Sequence, residues 1–322
     1  MSRFKKIMNK ITHHDKLWST IFRLENELQN SRQVGSALSL HSDYRLLRLE
    51  ILSYYQDPVR RAALDDEQRA LLAYLDAEYD PRKYGRVFSE DPYYDTATEA
   101  PLPYPVIYDS HSGLWYADMD GKKLYLGENR KGAEQYLKAV AAEIETPNPH
   151  RYLEPEKDGI DIPEGSVLLD IGAAEGFLGI KYIERCKKVY FFECEEHWLK
   201  CLKKSCEPFG DKAEIVKGFV GDGAKDIKLD EFFRNREKPT VIKIDVEGVE
   251  GSVLRGMPGL LSSRDPLTLL VCTYHRQEDW DRYSEMLKDN FIISPSTGWR
   301  WHMVDPCPPY FRRGVLRAVK KI

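Results

Sequence analysis

Two acidic side chains stand at predicted strand ends beside a glycine-rich turn. The stretch "LLDIGAAEGFLGI", residues 168–180, passes from an apolar strand through glycines into a helical pattern, and Asp170 ends that strand. Glu193 lies 23 residues later, at the end of the next apolar run, "VYFFE". An acidic side chain at this spacing could accept hydrogen bonds from both hydroxyls of a ribose. The alternative is that Glu193 caps the helix that follows it.

The glycine spacing in this turn departs from the dinucleotide-binding fingerprint. That fingerprint is G-x-G-x-x-G, whereas Gly172, Gly176 and Gly179 give G-x-x-x-G-x-x-G, with Ala174 in place of the second glycine. Glu175 adds a carboxylate where a pyrophosphate would need hydrogen-bond donors. The turn therefore favours a ligand without phosphate. S-adenosylmethionine is such a ligand, because it carries a sulfonium cation, an ammonium group and a ribose diol.

Further residues could complete a site for this cofactor. Asp170 could meet the ammonium group directly or through water. Asp222, in "GFVGDGA" after the third predicted strand, either faces the adenine or is a turn aspartate. NAD is disfavoured, because the Tyr-x-x-x-Lys pair of a short-chain dehydrogenase occurs only at Tyr79 and Lys83, upstream of the turn and interrupted by Pro81.

A charged cluster follows the fourth predicted strand. Lys243, Asp245 and Glu247 alternate, so an extended backbone would direct them to one side. They form either a structural ion pair or part of a site that holds a cationic cofactor. The fifth predicted strand, in "LTLLVCTYHRQED", brings His275 to the same edge. Methyl transfer to oxygen needs alignment and a base for the hydroxyl proton, and His275 is the best candidate base unless it caps the next helix.

A metal ion is an alternative activator for the same cluster. A divalent ion held by Asp245, Glu247 and His275 would acidify a bound hydroxyl. The sequence shows no second Asp/Asn pair to complete such a site, so a divalent metal is possible but not favoured. Glu250 is better explained by a favourable interaction with the N-terminus of its own helix.

The elements after residue 160 alternate between strand and helix. The predicted strands cover 166–171, 188–193, 213–218, 240–245 and 267–273, and the predicted helices cover 175–185, 195–207, 248–256 and 277–288. This alternation indicates a parallel sheet covered on both faces. The tail has strand-like runs without helices, which predicts an antiparallel edge. The expected fold class is α/β, with a Rossmann-like, seven-stranded, mostly parallel sheet.

The first 146 residues follow a different pattern. Apolar residues recur at helical spacing over 1–30, more helices follow, and residues 106–127 alternate like a small antiparallel β meander before a helix around 130–145. The Pro-containing stretch "TPNPHRYLEPE" marks a boundary. We therefore predict an N-terminal region, 1–146, that serves as a substrate lid or an oligomerisation element through its helices, and a cofactor-binding domain, 147–322.

Several stretches resemble the FkbM family of S-adenosylmethionine-dependent methyltransferases. They are "LLDIGAAEGFLGI", "VYFFE" and above all "TVIKIDVEGVEGSVLRGM", with "PHRYL" ahead of them. The resemblance covers roughly residues 147–318 and departs from the family at Glu175, where many relatives carry a neutral side chain. It implies a class I methyltransferase fold and O-methylation of a small molecule, natural product or sugar hydroxyl. The residues expected to bind S-adenosylmethionine are Asp170, Gly172, Ala173, Glu175, Gly176, Glu193 and Asp222, and those expected in catalysis are Lys243, Asp245, Glu247 and His275.

The composition argues against other classes of protein. The 48 basic residues are outnumbered by 52 acidic ones, which gives a net charge of −4 and makes nucleic acid a poor default partner. The six cysteines lack CxxC spacing, as expected of reduced thiols. No stretch approaches a membrane span or a signal peptide, so we expect a cytoplasmic protein. The open alternatives are N-methylation, metal-assisted methylation and a non-catalytic scaffold.

Overall fold

The computed structural model describes residues 46–76, 100–302 and 305–321. The strands in these ranges form two sheets. A small antiparallel sheet contains β1 Val106–Asp109, β2 Leu114–Met119 and β3 Lys122–Gly127. The larger sheet contains seven strands, which are β4 Ser166–Ile171, β5 Cys186–Glu193, β6 Ala213–Lys217, β7 Val241–Ile244, β8 Thr268–Cys272, β9 Phe291–Pro295 and β10 Val315–Lys320.

Helices precede the sheets and connect their strands. They are α1 Pro58–Ala62, α2 Asp66–Asp76, α3 Arg130–Glu145, α4 Pro155–Asp158, α5 Phe177–Tyr182, α6 Glu196–Cys206, α7 Leu229–Phe232, α8 Glu250–Arg255, α9 Pro258–Ser262 and α10 Asp279–Leu287. Residues 46–54 are also helical, and Glu207–Lys212 is a 3-10 helix. In the described ranges, none of these helices combines the length and the apolar character that crossing a bilayer requires.

The seven-stranded sheet has the order β6-β5-β4-β7-β8-β10-β9. The first five strands in this order are parallel, which confirms the predicted α/β class. The tail strands finish the sheet with antiparallel pairing, as predicted: β10 lies antiparallel to β8, and β9 pairs antiparallel with β10 and forms the edge. The chain passes from β8 through α10 to β9, and β9 leaves room for one strand between itself and β8. The last strand of the chain, β10, occupies that place, so it is not the outermost strand of the sheet.

The core lies on both faces of the larger sheet. Successive residues of β4 alternate between the faces: Leu168 belongs to one buried apolar cluster, and Val167 and Leu169 belong to the other. The second cluster packs under α8, α9 and α10. The first continues into α3, β2 and β3, so the small sheet and the large sheet share a core. Every residue of β4 is buried, as expected of a central parallel strand.

The chain divides into two compact units by its internal contacts. One consists of 1–53 with 78–88, and the other of 54–77 with 89–322. The amphipathic stretch 1–30, which carries the predicted oligomer contact, lies outside the described residues. The functional division between residues 146 and 147 stays a prediction, although α3 and the meander pack into the core of the larger sheet.

Gly179 tests the packing of α5 against the sheet. A Cβ atom at this position would lie 2.2 Å from Cε1 of the Phe191 ring. We expect Gly179→Ala to lower the free energy of unfolding by about 1–3 kcal/mol, because overpacking a close contact forces side chains or backbone to move. Gly132→Ala in α3 is the control, since its Cβ would meet nothing closer than 3.8 Å. Urea unfolding should show the control to be neutral or stabilising, and equal losses in both variants would contradict this packing.

Candidate active site

The glycine turn joins the end of β4 to the start of α5. Its backbone amides are already engaged: the amides of Gly172 and Ala173 donate to the Phe192 carbonyl, at 3.0 and 3.1 Å. The Ala174 amide donates to the Glu193 carboxylate at 2.8 Å. Gly172 has a positive φ, and a Cβ there would lie 1.8 Å from the Asp245 carbonyl oxygen. The turn is therefore held against both neighbouring strands, and these amides are not available to a phosphate.

A buried ion pair lies under the turn. Asp170 and Lys243 are partners in the register of β4 and β7, and Lys243 Nζ lies 3.1 Å from Asp170 Oδ1. The same ammonium donates to the Gly172 carbonyl at 2.7 Å. Burial lowers the pKa of Lys243, but Asp170 and Asp245 outweigh that effect and hold the pKa above its usual value. Lys243 was predicted among the catalytic residues, and the structure directs its ammonium to the turn and to Asp170.

Asp245 follows β7 and lies among aromatic and imidazole side chains. Its Oδ2 accepts a hydrogen bond from the Tyr152 hydroxyl at 2.8 Å and lies 3.4 Å from His150 Nε2. Its Oδ1 lies 3.5 Å from the Tyr274 hydroxyl and 3.7 Å from His275 Nε2. Burial alone would raise the pKa of Asp245, but the hydrogen bond from His150 and the nearby cations hold it well below the usual range. Asp245 is therefore ionised at neutral pH.

His275 lies between three carboxylates, as its place after β8 predicts. Its Nδ1 is 3.0 Å from Glu250, and its Nε2 is 3.4 Å from Glu247. Burial lowers the pKa of His275, but Glu250, Glu247 and Asp245 together raise it well above the usual value. The structure thus brings Asp245, Glu247 and His275 together. The raised pKa favours the protonated imidazole, which would have to lose that proton before it could accept another.

Glu193 connects the glycine turn with the segment ahead of α6, and its ribose role stays a prediction. Its Oε1 accepts from the amides of Cys194 and Glu195, at 2.7 and 2.8 Å, ahead of α6. Its Oε2 accepts from Ala174 in the glycine turn. A carboxylate offers about four acceptor positions, so one position on Oε2 remains. Glu193 therefore ties the turn to α6 and can still accept one ligand hydroxyl.

Glu175 and Asp222 differ in their surroundings. Glu175 is buried and accepts from the Tyr136 hydroxyl at 2.6 Å. Burial raises the pKa of Glu175 to about 7, against the opposing effect of Tyr136. Asp222 is exposed and pairs with Arg255 of α8 at 2.6 Å. Those contacts agree with a turn aspartate, and the adenine role of Asp222 stays a prediction.

The sequence did not predict that His150 and Tyr152 contact Asp245. His150 lies between Asp245 and Glu143, with 3.3 Å from its Nδ1 to the Glu143 carboxylate. Burial lowers the pKa of His150, but Glu143 and Asp245 outweigh it and raise the pKa to about 9. His150 and Tyr152 belong to the "PHRYL" segment, which was the available signal. No spacing rule connects that segment with a strand end more than 90 residues away.

The order of the seven strands and their mostly parallel pairing are those of the Rossmann-like fold of class I methyltransferases. Residues 215–292 match a family model described as a methyltransferase FkbM domain. The resemblance to the FkbM methyltransferase family is thereby confirmed over these residues.

Several solved structures are similar to this chain in fold, at low sequence identity. A methyltransferase FkbM from Methylobacillus flagellatus KT is 19% identical, with a TM-score of 0.39, over 70% of this chain and 58% of that one. A precorrin-6y C5,15-methyltransferase from Geobacter metallireducens GS-15 is 14% identical, with a TM-score of 0.35, over 49% of this chain and 82% of that one. TrmK of M. capricolum, solved with S-adenosylhomocysteine, is 15% identical, with a TM-score of 0.34, over 50% and 64% of the two chains. No curated protein matches the chain.

The Lys243–Asp170 pair is tested by removing one charge. We expect Lys243→Met to lower the free energy of unfolding by about 3–5 kcal/mol, because it leaves the Asp170 carboxylate buried without its partner. Adding Asp170→Asn should recover part of the loss. Lys238→Met is the control, since Lys238 and Asp265 form a half-exposed pair at 2.7 Å, and such pairs contribute about 0–1 kcal/mol. Similar losses in the two single variants, measured by urea unfolding, would show that the buried pair is not specially important.

Glu175 predicts a pH dependence of stability. Its folded pKa of about 7 exceeds the value of 4.5 for a free side chain, so folding takes up a proton and stability falls as pH rises between these values. Glu175→Gln removes this dependence. Relative to wild type, the variant should gain up to about 3 kcal/mol between pH 5 and pH 8. Glu164→Gln, an exposed control, should show no such trend in urea unfolding, and a Glu175→Gln difference that is flat with pH would refute the assignment.

Proposed function

We propose that the enzyme transfers a methyl group from S-adenosylmethionine to a hydroxyl of a small molecule, natural product or glycan. The single observation that carries the cofactor assignment is the state of the glycine turn. The amides of Gly172, Ala173 and Ala174 already donate to protein oxygens. A pyrophosphate would therefore meet carboxylates and find these three amides already engaged, whereas a cationic cofactor without phosphate would meet favourable charge.

The residues around the turn fit that cofactor. Glu193 retains one acceptor position for a ribose hydroxyl. Asp245 supplies negative charge beside the turn for the ammonium and sulfonium groups, and Glu175 adds charge within the turn when it is ionised. Gly172 allows the turn to approach the end of β7, where a side chain would not fit. Lys243 keeps the turn in this position through the Gly172 carbonyl.

The acceptor side of the site is formed by residues after β7 and β8. S-adenosylmethionine, when bound, supplies an electrophilic methyl group. The chain's contribution is to align the acceptor hydroxyl, exclude water and take up its proton. Alignment can contribute about 7–11 kcal/mol, and a positioned base about 10²–10⁴-fold in rate. Asp245 stays ionised and orients Tyr152. His275 lies at the same edge and is the group to receive the proton once the proton favoured by its three carboxylate neighbours has left. The Tyr274 ring, 4.2 Å from the His275 ring by centroids, offers an apolar wall for the acceptor.

Calorimetric titration tests the cofactor assignment. We expect saturable binding of S-adenosylmethionine and none of NAD. Glu193→Ala should weaken S-adenosylmethionine binding at least about tenfold, because one hydrogen bond to a carboxylate is worth about 1.5–3 kcal/mol and the turn also loses a contact. Glu196→Gln is the control, since Glu196 begins the adjacent helix, is exposed and pairs with Lys217. Binding of NAD, or unchanged affinity in Glu193→Ala, would overturn the proposal.

A screen of hydroxylated acceptors tests the reaction itself. Incubation with S-adenosylmethionine labelled at its methyl group should release S-adenosylhomocysteine and place the label on oxygen of a hydroxylated small molecule or glycan. Mass spectrometry of the product locates the methyl group. Label found on nitrogen, across a panel that includes amines, would favour N-methylation instead.

A further inference from the structure

We propose that Asp245, Glu247 and His275 form a binding site for a divalent metal ion at the carboxyl ends of β7 and β8. The inference deepens the proposed function and rests on it, because an ion at this place would acidify the acceptor hydroxyl. From the sequence alone, a metal at these residues is possible but not favoured. The chemical class is a first-row divalent ion that accepts mixed ligands, such as Mn²⁺ or Zn²⁺, since two carboxylates and one imidazole face the site.

The geometry brings one ligand atom from each residue within 4.8 Å of the others. His275 Nε2 lies 3.7 Å from Asp245 Oδ1 and 3.4 Å from Glu247 Oε2. Two ligands that bind one ion at about 2.0–2.2 Å lie roughly 3–4 Å apart. The observed separations therefore agree with shared coordination and are longer than ordinary hydrogen bonds.

The state of His275 is an independent observation. Its side chain is only 5% exposed, yet neither ring nitrogen makes a well-aligned hydrogen bond among the described residues. Nδ1 faces the buried Glu250 carboxylate at 3.0 Å, and Glu250 is fixed by the amides of Val246 and Gly248. A carboxylate behind the imidazole is the usual support of a metal-binding histidine. Because Nδ1 faces Glu250, the other ring nitrogen, Nε2, is the one that faces Asp245 and Glu247.

The charges around His275 favour a cation. Three carboxylates surround a single imidazole, and Lys243 is engaged with Asp170 and the Gly172 carbonyl. Glu247 has a side chain that is 76% exposed, so part of the coordination shell would be open to water or an acceptor hydroxyl. Structural metal sites are closed by protein ligands, whereas catalytic sites keep an open position. The open side therefore agrees with a catalytic ion.

A second group of ligand atoms shares Asp245 but is less suited to a metal. It consists of His150, Asp245 and Cys272. The Tyr152 hydroxyl already donates to Asp245 Oδ2 at 2.8 Å and lies 3.3 Å from His150 Nε2. Both His150 and Cys272 are buried. This group is therefore closed by Tyr152 and leaves no open position for an acceptor.

Metal binding is tested on the full chain after treatment with a chelator. Titration with Mn²⁺, followed by the electron paramagnetic resonance signal of free Mn²⁺, should show one site per chain. Zn²⁺ is titrated in parallel by calorimetry. Glu247→Gln should weaken Mn²⁺ binding at least about tenfold, and His275→Gln should abolish it. Because Glu247 is exposed, its variant keeps the fold even if His275→Gln does not. Asp281→Asn, an exposed change in α10, is the control and should bind like wild type.

The outcomes separate this inference from the proposed function. Failure of both ions to bind at millimolar concentration, or binding that is unchanged in Glu247→Gln and His275→Gln, would overturn the metal site. S-adenosylmethionine binding is measured on the same metal-free protein. If that cofactor binds and methyl transfer continues in excess chelator, the proposed function stands and the metal site fails. If Mn²⁺ binds at the predicted residues but S-adenosylmethionine does not bind, the metal site stands and the cofactor assignment fails.

Discussion

The buried contact of Lys243 with Asp170 and the Gly172 carbonyl is the interaction on which the site depends. An ammonium taken out of water costs several kcal/mol unless its donors find partners, and here they are a carboxylate and a carbonyl on the neighbouring strand and turn. The need to pair this ammonium fixes β4 and β7 in register at their carboxyl ends. It also sets the glycine turn directly against the backbone of Asp245. The cofactor side and the acceptor side of the site are thereby held together by one ion pair.

The other buried carboxylates are stabilised by different partners. Glu193 accepts from three backbone amides, Glu175 accepts from Tyr136, and Asp245 faces two imidazoles and two hydroxyls. Amide and hydroxyl donors satisfy the hydrogen-bonding capacity of these carboxylates but do not neutralise their negative charge. Carboxylates therefore outnumber the lysine and the two imidazoles among these residues, because Glu143, Glu247 and Glu250 also face the imidazoles. A site of this kind suits a cationic cofactor better than an anionic one.

More of the fold than of the candidate site could be predicted from the sequence. Apolar runs bounded by glycine give β4 at the predicted residues, and the predicted helix around 130–145 corresponds to α3. The place of β10 could not be read from its own sequence, because it depends on the gap that α10 and β9 leave. Lys243 was assigned to the correct edge, but its partner is set by strand register and burial. Tyr152 reaches Asp245 across 93 residues, a contact that only the packed fold creates.

The position of His275 links the charge of the site to its chemistry. Three carboxylates within 3.0–3.7 Å of one imidazole are stable only if a positive charge lies among them. A proton on the imidazole can supply that charge, and so can a divalent ion bound at Nε2. The two differ in what they do to an approaching hydroxyl. A protonated imidazole can only donate to the hydroxyl oxygen, whereas an ion that replaces that proton lowers the pKa of the hydroxyl itself. The same arrangement that makes His275 a poor base at rest is therefore the arrangement that a metal would use.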